Sequence, residues 1–204
     1  ARIGAGKLPT HIQPADADQV VTIAAQGMQE LIDEKKQQLK LTLLERETIV
    51  QTDATKCKRI LRCLLSNAIK FTENEGQIGV EVDHDAELGV VRFVVWDTGL
   101  GIAEAELDQL TRPFEQSDGG LSRMHEGLGL GLTLSTKLSH LIGATIQVES
   151  TVGEGSRFSL IVRQDGPTRI TLYGDLNCPF SYTLNEISEA LGFPISIPVS
   201  GTLH

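Results

Sequence analysis

Apolar residues recur at helical spacing from Asp16 onward, at Val20, Ala24, Met28 and Leu31, until the charged run Asp33-Glu34-Lys35-Lys36 ends the pattern. LKLTLL (39–44) alternates as a strand does. Asp53 is a favoured N-cap type, and the run KCKRILRCLLSNAIKFT behind it predicts a second, stronger helix with Ile60, Leu64, Ala68 and Phe71 as its apolar stripe. Residues 77–82 alternate, and 90–96 form a nearly continuous apolar strand that stops at Asp97-Thr98-Gly99-Leu100-Gly101. A short helix near 103–110 precedes a polar stretch, 111–126, centred on Gly119-Gly120; a patternless loop of that length is usually functional. Residues 128–142 predict a helix opened by glycines, and 145–150 and 156–162 two strands joined by a Gly153/Gly155 turn. Residues 1–15 read as an irregular lead-in, and Asp165-Gly166-Pro167 as a boundary.

Composition narrows the class. In 204 residues, 40% are hydrophobic and 22% charged, close to the globular average, which excludes disorder and fibrous repeats. Aromatics at 4% and a net charge of −9 argue against nucleic acid as a partner. Cys57, Cys63 and Cys178 cannot close a disulfide framework, so a cytoplasmic setting is expected. No apolar run approaches membrane-spanning length, so this segment is expected to make no membrane contact, although a parent protein may carry an anchor elsewhere.

Three places could carry chemistry. On the second helix, Cys63, Asn67 and Lys70 share a stripe beside the apolar one, and an amide oxygen near an ammonium can hold a hydrated cation and a phosphate together. The competing reading is a solvated asparagine and a surface lysine. Asp97 ends a buried strand before Gly-x-Gly; its carboxylate can accept from an exocyclic amine while the glycines admit a planar ring, though Asp-Thr-Gly is also turn chemistry. Gly127, Gly129 and Gly131 open a helix, where backbone N–H groups attract phosphate. No strand directly precedes these glycines and no Gly-Lys-Ser/Thr follows, which disfavours dinucleotide and Walker-type sites.

In order along the chain stand LLSNAIKFT (64–72), DTGLGI (97–102), RPFEQ (112–116), GLGLGL (127–132) and GEGSRF (153–158). This series resembles the ATP-binding catalytic domain of sensor histidine kinases, within the GHKL ATPases that include gyrase and MutL. The resemblance implies an α/β (α+β) sandwich: a mixed sheet packed on one side by helices, with an ATP lid at 111–126. It further implies Asn67 as a Mg²⁺ ligand, with Lys70 near the phosphates. Asp97 would bind the adenine amine in a pocket shaped by Gly99 and Gly101 and lined by Ile102. Phe114 would be the aromatic of the third box and Arg123 a lid arginine. Gly127, Gly129, Leu130 and Gly131 would form the lid hinge, and Ser156 would help hold adenine through water. ATP and Mg²⁺ are the implied cofactors. The implied partners are a histidine-bearing dimerisation domain and, through it, a response regulator.

Three departures accompany the resemblance. Cys63 stands where the family usually has a further asparagine, and a neutral thiol is a poor partner for hard Mg²⁺. None of His11, His84, His125, His140 and His204 carries a phosphoacceptor pattern, and no receiver domain follows. The chain is therefore expected to bind nucleotide without phosphorylating itself. A degenerate scaffold module and a stand-alone GHKL ATPase are the alternatives. The expected organisation is a linker from a missing dimerisation domain (1–15), the catalytic domain (16–163), and a linker plus truncated βα fragment (164–204). In that fragment Asn177-Cys178-Pro179-Phe180-Ser181 resembles the start of a thioredoxin-like domain lacking its second cysteine.

Overall fold

The computed structural model describes residues 9–44, 46–104, 106–107 and 129–167. Five strands form a mixed sheet in the order β2-β4-β5-β7-β6: β2 (Gln38–Thr42), β4 (Gln77–Asp85), β5 (Val90–Asp97), β6 (Thr145–Thr151) and β7 (Gly155–Arg163). Only β2–β4 is parallel; the other pairings are antiparallel. Alternation puts Ile78, Val80, Val82, Val91, Phe93, Val95, Phe158, Leu160 and Val162 on one face, all buried. Helices cover that face, as the resemblance implies. The opposite face carries ion pairs, Arg92 with Asp83 (2.7 Å) and Asp85 (3.1 Å) and Arg157 with Glu81 (2.6 Å). Trp96 also lies there, its ring packed over Gly79, where any side chain would collide with it.

Helix α3 (Ala54–Phe71) is the centre of the helical layer. Asp53 caps it by accepting from the N–H groups of Thr55 and Lys56 at 3.1 and 3.0 Å. Ile60, Leu61, Leu64 and Leu65 are wholly buried. The far end is capped by side chains: Lys35 Nζ donates to the carbonyls of Ile69, Lys70 and Thr72 at 2.8–3.0 Å, and Gln37 Nε2 to those of Ile69, Thr72 and Glu73. A cation on a helix's unpaired C-terminal carbonyls is favourable on both hydrogen-bond and dipole grounds. Helix α4 (Gly129–Leu141) lies alongside α3, and its buried Ser135 and Ser139 bond back to its own carbonyls, which satisfies their hydroxyls.

The N-terminal half differs from expectation in two places. The first helix is two, α1 (Ala17–Gln26) and α2 (Gln29–Glu34), broken at Gly27-Met28. The break shifts the buried phase by one residue, so Ile32 is buried at 1% exposure and Leu31 is exposed at 44%. The lead-in ends in a strand, β1 (Gln13–Asp16), paired antiparallel with β3 (Ile49–Thr52). Next to the expected boundary, Gln164 bonds to the backbone of Gln51 and Gly89, and Pro167 packs on Gly143. The fragment from 168 onward lies outside the described residues.

Candidate functional site

Asp97 closes β5 with its side chain on the helix-covered face, directly opposite Ser156 of β7. The residue is 9% exposed, and its Oδ1 accepts from the Gly99 N–H at 2.8 Å. Burial pushes its carboxyl above the usual carboxylate value, while the N–H groups of Gly99 and Ser156 pull it back in part. Such a carboxylate keeps acceptor capacity for one further donor.

The backbone around it is built by close approach. Gly99 lies against the Phe71 carbonyl, which also accepts from the Leu100 N–H at 3.3 Å. Gly101 has φ +68° and faces the Thr151 carbonyl, leaving no room for a side chain. Ser150 Oγ ties the pieces together. It accepts from the Ile102 N–H at 2.8 Å, reaches the Gly155 carbonyl at 2.8 Å and lies 3.0 Å from Ser156 Oγ. Ile102 is buried beneath. The result is a polar notch at the end of the sheet, one buried carboxylate and two hydroxyls, held in place by glycines packed against backbone carbonyls.

The second group lies along α3. Asn67 is buried at 7% exposure, and its Nδ2 has no hydrogen-bond partner among the described residues. The expectation of a solvated asparagine does not describe it. A methyl at Gly131, near the start of α4, would lie 3.9 Å from Asn67 Oδ1, so α3 and α4 meet here. Lys70 is exposed one turn on, its Nζ 5.3 Å from the Phe71 ring centroid. Cys63, half-buried, lies one turn in the other direction. Cys63, Asn67 and Gly131 line one cleft of about 790 Å³ with residues of α1. Asn67 is one turn, about 6 Å of helix rise, from the Phe71 carbonyl that meets Gly99. The two groups are thus joined through the last turn of α3.

Asp97, Gly99, Gly101, Ile102 and Ser156 therefore come together, as do Asn67, Gly131 and Cys63. Gly129 and Leu130 are the first residues of α4. Phe114, Arg123 and Gly127 lie outside the described residues. Sequence reading missed Ser150 and gave Gly155 only a turn role, although Gly155 has φ +107° and faces the Asp97 carbonyl. The available signal was pairing: Ser150 and Ser156 sit opposite each other across the β6–β7 hairpin and must face the same side.

Among the described residues no group of three or more His, Cys, Asp or Glu could enclose a metal. Magnesium needs less, since it keeps several waters and takes one or two protein oxygens plus phosphate oxygens. Asn67 fits that role as a single ligand through its Oδ1, which lies at the meeting of α3 and α4. Cys63 does not add a second.

Known proteins place this geometry. Residues 52–166 match the model of the family described as histidine kinase-, DNA gyrase B-, and HSP90-like ATPase. The chain is 38% identical over 162 residues to the circadian input-output histidine kinase CikA of Synechococcus elongatus, covering 78% of this chain and 21% of that protein. It is 37% identical over 145 residues to the histidine protein kinase DivJ of Caulobacter vibrioides, covering 71% and 24%. It therefore spans about a fifth to a quarter of these relatives. Full-length ShkA, solved in complex with AMPPNP, superposes with a TM-score of 0.64 at 26% identity, over 82% of this chain and 34% of that one. The catalytic domain of the histidine kinase ThkA shares the fold at a TM-score of 0.63 and 21% identity, over 76% and 99%. With the family model covering more than half its length and the sheet, helices and notch arranged as described, the chain belongs to the histidine kinase-, DNA gyrase B-, and HSP90-like ATPases.

Proposed function

We propose that this chain is the nucleotide-binding catalytic module of a sensor histidine kinase, working on ATP in the cytoplasm and delivering its terminal phosphoryl group to a histidine on a separate dimerisation domain. The observation that carries the reading is the buried Asp97 carboxylate, set beside the Ser150 and Ser156 hydroxyls with acceptor capacity to spare. In this reading Asp97 accepts from the adenine exocyclic amine, and Gly99 and Gly101 shape the pocket by letting the 97–102 turn close against the Phe71 and Thr151 carbonyls. Ile102 forms its apolar floor, and Ser156 with Ser150 orders a water on its edge. Asn67 would hold Mg²⁺, which when bound offsets triphosphate charge, and Lys70, one turn beyond Asn67 on α3, adds a cation. Phe114, Arg123, Gly127, Gly129, Leu130 and Gly131 keep the roles the resemblance implies, in the lid and its hinge. The transfer breaks the bond between the β,γ-bridging oxygen and the γ-phosphorus and forms a phosphorus–nitrogen bond on the acceptor imidazole. The phosphoryl group then passes to a response regulator.

Two measurements test this. Calorimetric titration with Mg·ATP and Mg·ADP should show binding to both, and Asp97→Asn should weaken both by about tenfold or more, the value of a buried charged hydrogen bond. A cognate dimerisation domain supplied in trans should become phosphorylated on histidine. Binding indifferent to Asp97, or an acceptor never labelled despite normal binding, would overturn the reading.

A further inference from the structure

The cleft over α3 extends past Asn67 and Cys63 toward the start of the helix, and its described charged lining there is cationic. Lys58, Arg59 and Arg62 line it, and no aspartate or glutamate does among the described residues. None of the three cations has an ion-pair partner among the described residues. Arg59, Cys63 and Asn67 are successive turns of one stripe, and Arg62 stands beside them. Arg62 packs over α1: its guanidinium lies across Gly27, the C-cap of that helix, where an added methyl would come within 3.2 Å of Cζ. Glycine there leaves space for the planar group and keeps its donors over the cleft. Asn67 lines the same cleft, although its Nδ2 is itself enclosed. Two guanidiniums and an ammonium, with no carboxylate among the described lining, are the chemistry of an anion site.

Distance identifies which anion. From the Phe71 carbonyl beside the adenine notch to Arg59 is twelve residues of helix, about 18 Å of rise. That is comparable to an extended ATP from its exocyclic amine to its terminal phosphate. Resting on the nucleotide reading above, we infer that Arg59 and Arg62 hold the terminal phosphate of the bound triphosphate. They supply, from the protein, positive charge that Cys63 cannot recruit as a hard-metal ligand. Discrimination of ATP from ADP then resides in these two arginines and persists without a divalent cation.

The test compares ATP, ADP and inorganic tripolyphosphate by calorimetry, with Mg²⁺ and with chelator, for the parent, Asp97→Asn and the Arg59→Gln/Arg62→Gln double variant. The parent should prefer ATP to ADP by about tenfold in chelator, and the double variant should lose that preference while holding ADP within about twofold. Tripolyphosphate should bind the parent and Asp97→Asn equally, and the double variant at least tenfold more weakly. A Gly27→Leu variant, which displaces Arg62 without removing its charge, should lose part of the preference. If ATP binding depends on Asp97 but is unchanged in the double variant, the inference fails and the nucleotide reading stands. If tripolyphosphate binding needs the arginines but ATP ignores Asp97, the cationic site stands as an anion site and the assignment to a nucleotide's terminal phosphate is overturned. If ATP and ADP weaken equally in the double variant, the assignment to the terminal phosphate is wrong.

Discussion

Gly101 combines φ +68° with contact against the Thr151 carbonyl, so alanine there meets two penalties together. Left-handed backbone alone costs an alanine roughly 1–2 kcal/mol, and the overlap adds to it. Gly101→Ala is expected to lower unfolding free energy by about 2 kcal/mol or more and to abolish adenine binding, read by urea denaturation and calorimetry. Asp97 makes a different prediction. Its carboxyl titrates above the ordinary carboxylate value, because burial outweighs the N–H bonds from Gly99 and Ser156. Protonation removes an acceptor, so nucleotide affinity should fall as pH drops through that raised value, ahead of any acid unfolding. A titration series in pH checks this, with Asp97→Asn expected to be flat. At this scale the sequence was informative where a residue type is forced, as at Gly101. It was silent on Ser150, whose role comes from a hairpin register rather than from its own neighbours.

Helix α3 carries both the candidate phosphate residues and, through the Phe71 carbonyl, one side of the Asp97 notch, so its caps govern the site. Desolvation pushes the Asp53 carboxyl up, but bonds from the Lys56 side chain, the His11 N–H and the Lys56 N–H outweigh it and set its pKa at about 2. A folded-state value below the unfolded 3.8 means the stabilisation is fully present above pH 4 and is lost as pH falls toward 2. The amount is about 2 kcal/mol. Asp53→Asn should therefore destabilise the chain at neutral pH and flatten the acid limb of stability against pH, measured by denaturation from pH 7 to about 2. This helix was legible because cap, apolar stripe and length agree. The first helix was not, because Gly27 and Met28 do not interrupt the apolar spacing although they interrupt the helix; Leu31 and Ile32 exchange roles as a result. Strands β1 and β3 have four residues each and show too little alternation to be seen without each other. Lys35 reads as part of the charged run 33–36 and the sequence pattern does not single out Gln37, and their work on the carbonyls of α3 depends on contacts more than thirty positions away.

Across the whole molecule the order of the boxes made the fold legible, and the sheet and its one-sided helical cover follow it. The cationic floor of the cleft was not, since it needs α1 to lie across α3 before Arg62 and Gly27 can meet. A folded-state thiol count checks the packing at this scale. Cys57 is fully buried, and desolvation pushes its thiol up to about 12, whereas Cys63 opens onto the cleft. In a Cys178→Ser background one thiol should react with an aromatic disulfide reagent while the chain is folded, and two once it is denatured. Saturating ATP should slow the first. Trp96 is the only tryptophan in the chain, and it sits on the sheet face away from the helices, its indole N–H enclosed against Gly79. Asp97, its neighbour in β5, points to the other side. The chain thus contains a single fluorophore whose emission monitors the back of the sheet. A melting curve followed by that light and a binding isotherm followed by heat sample opposite sides of the same strand, so a variant that alters one without the other separates folding damage from lost recognition.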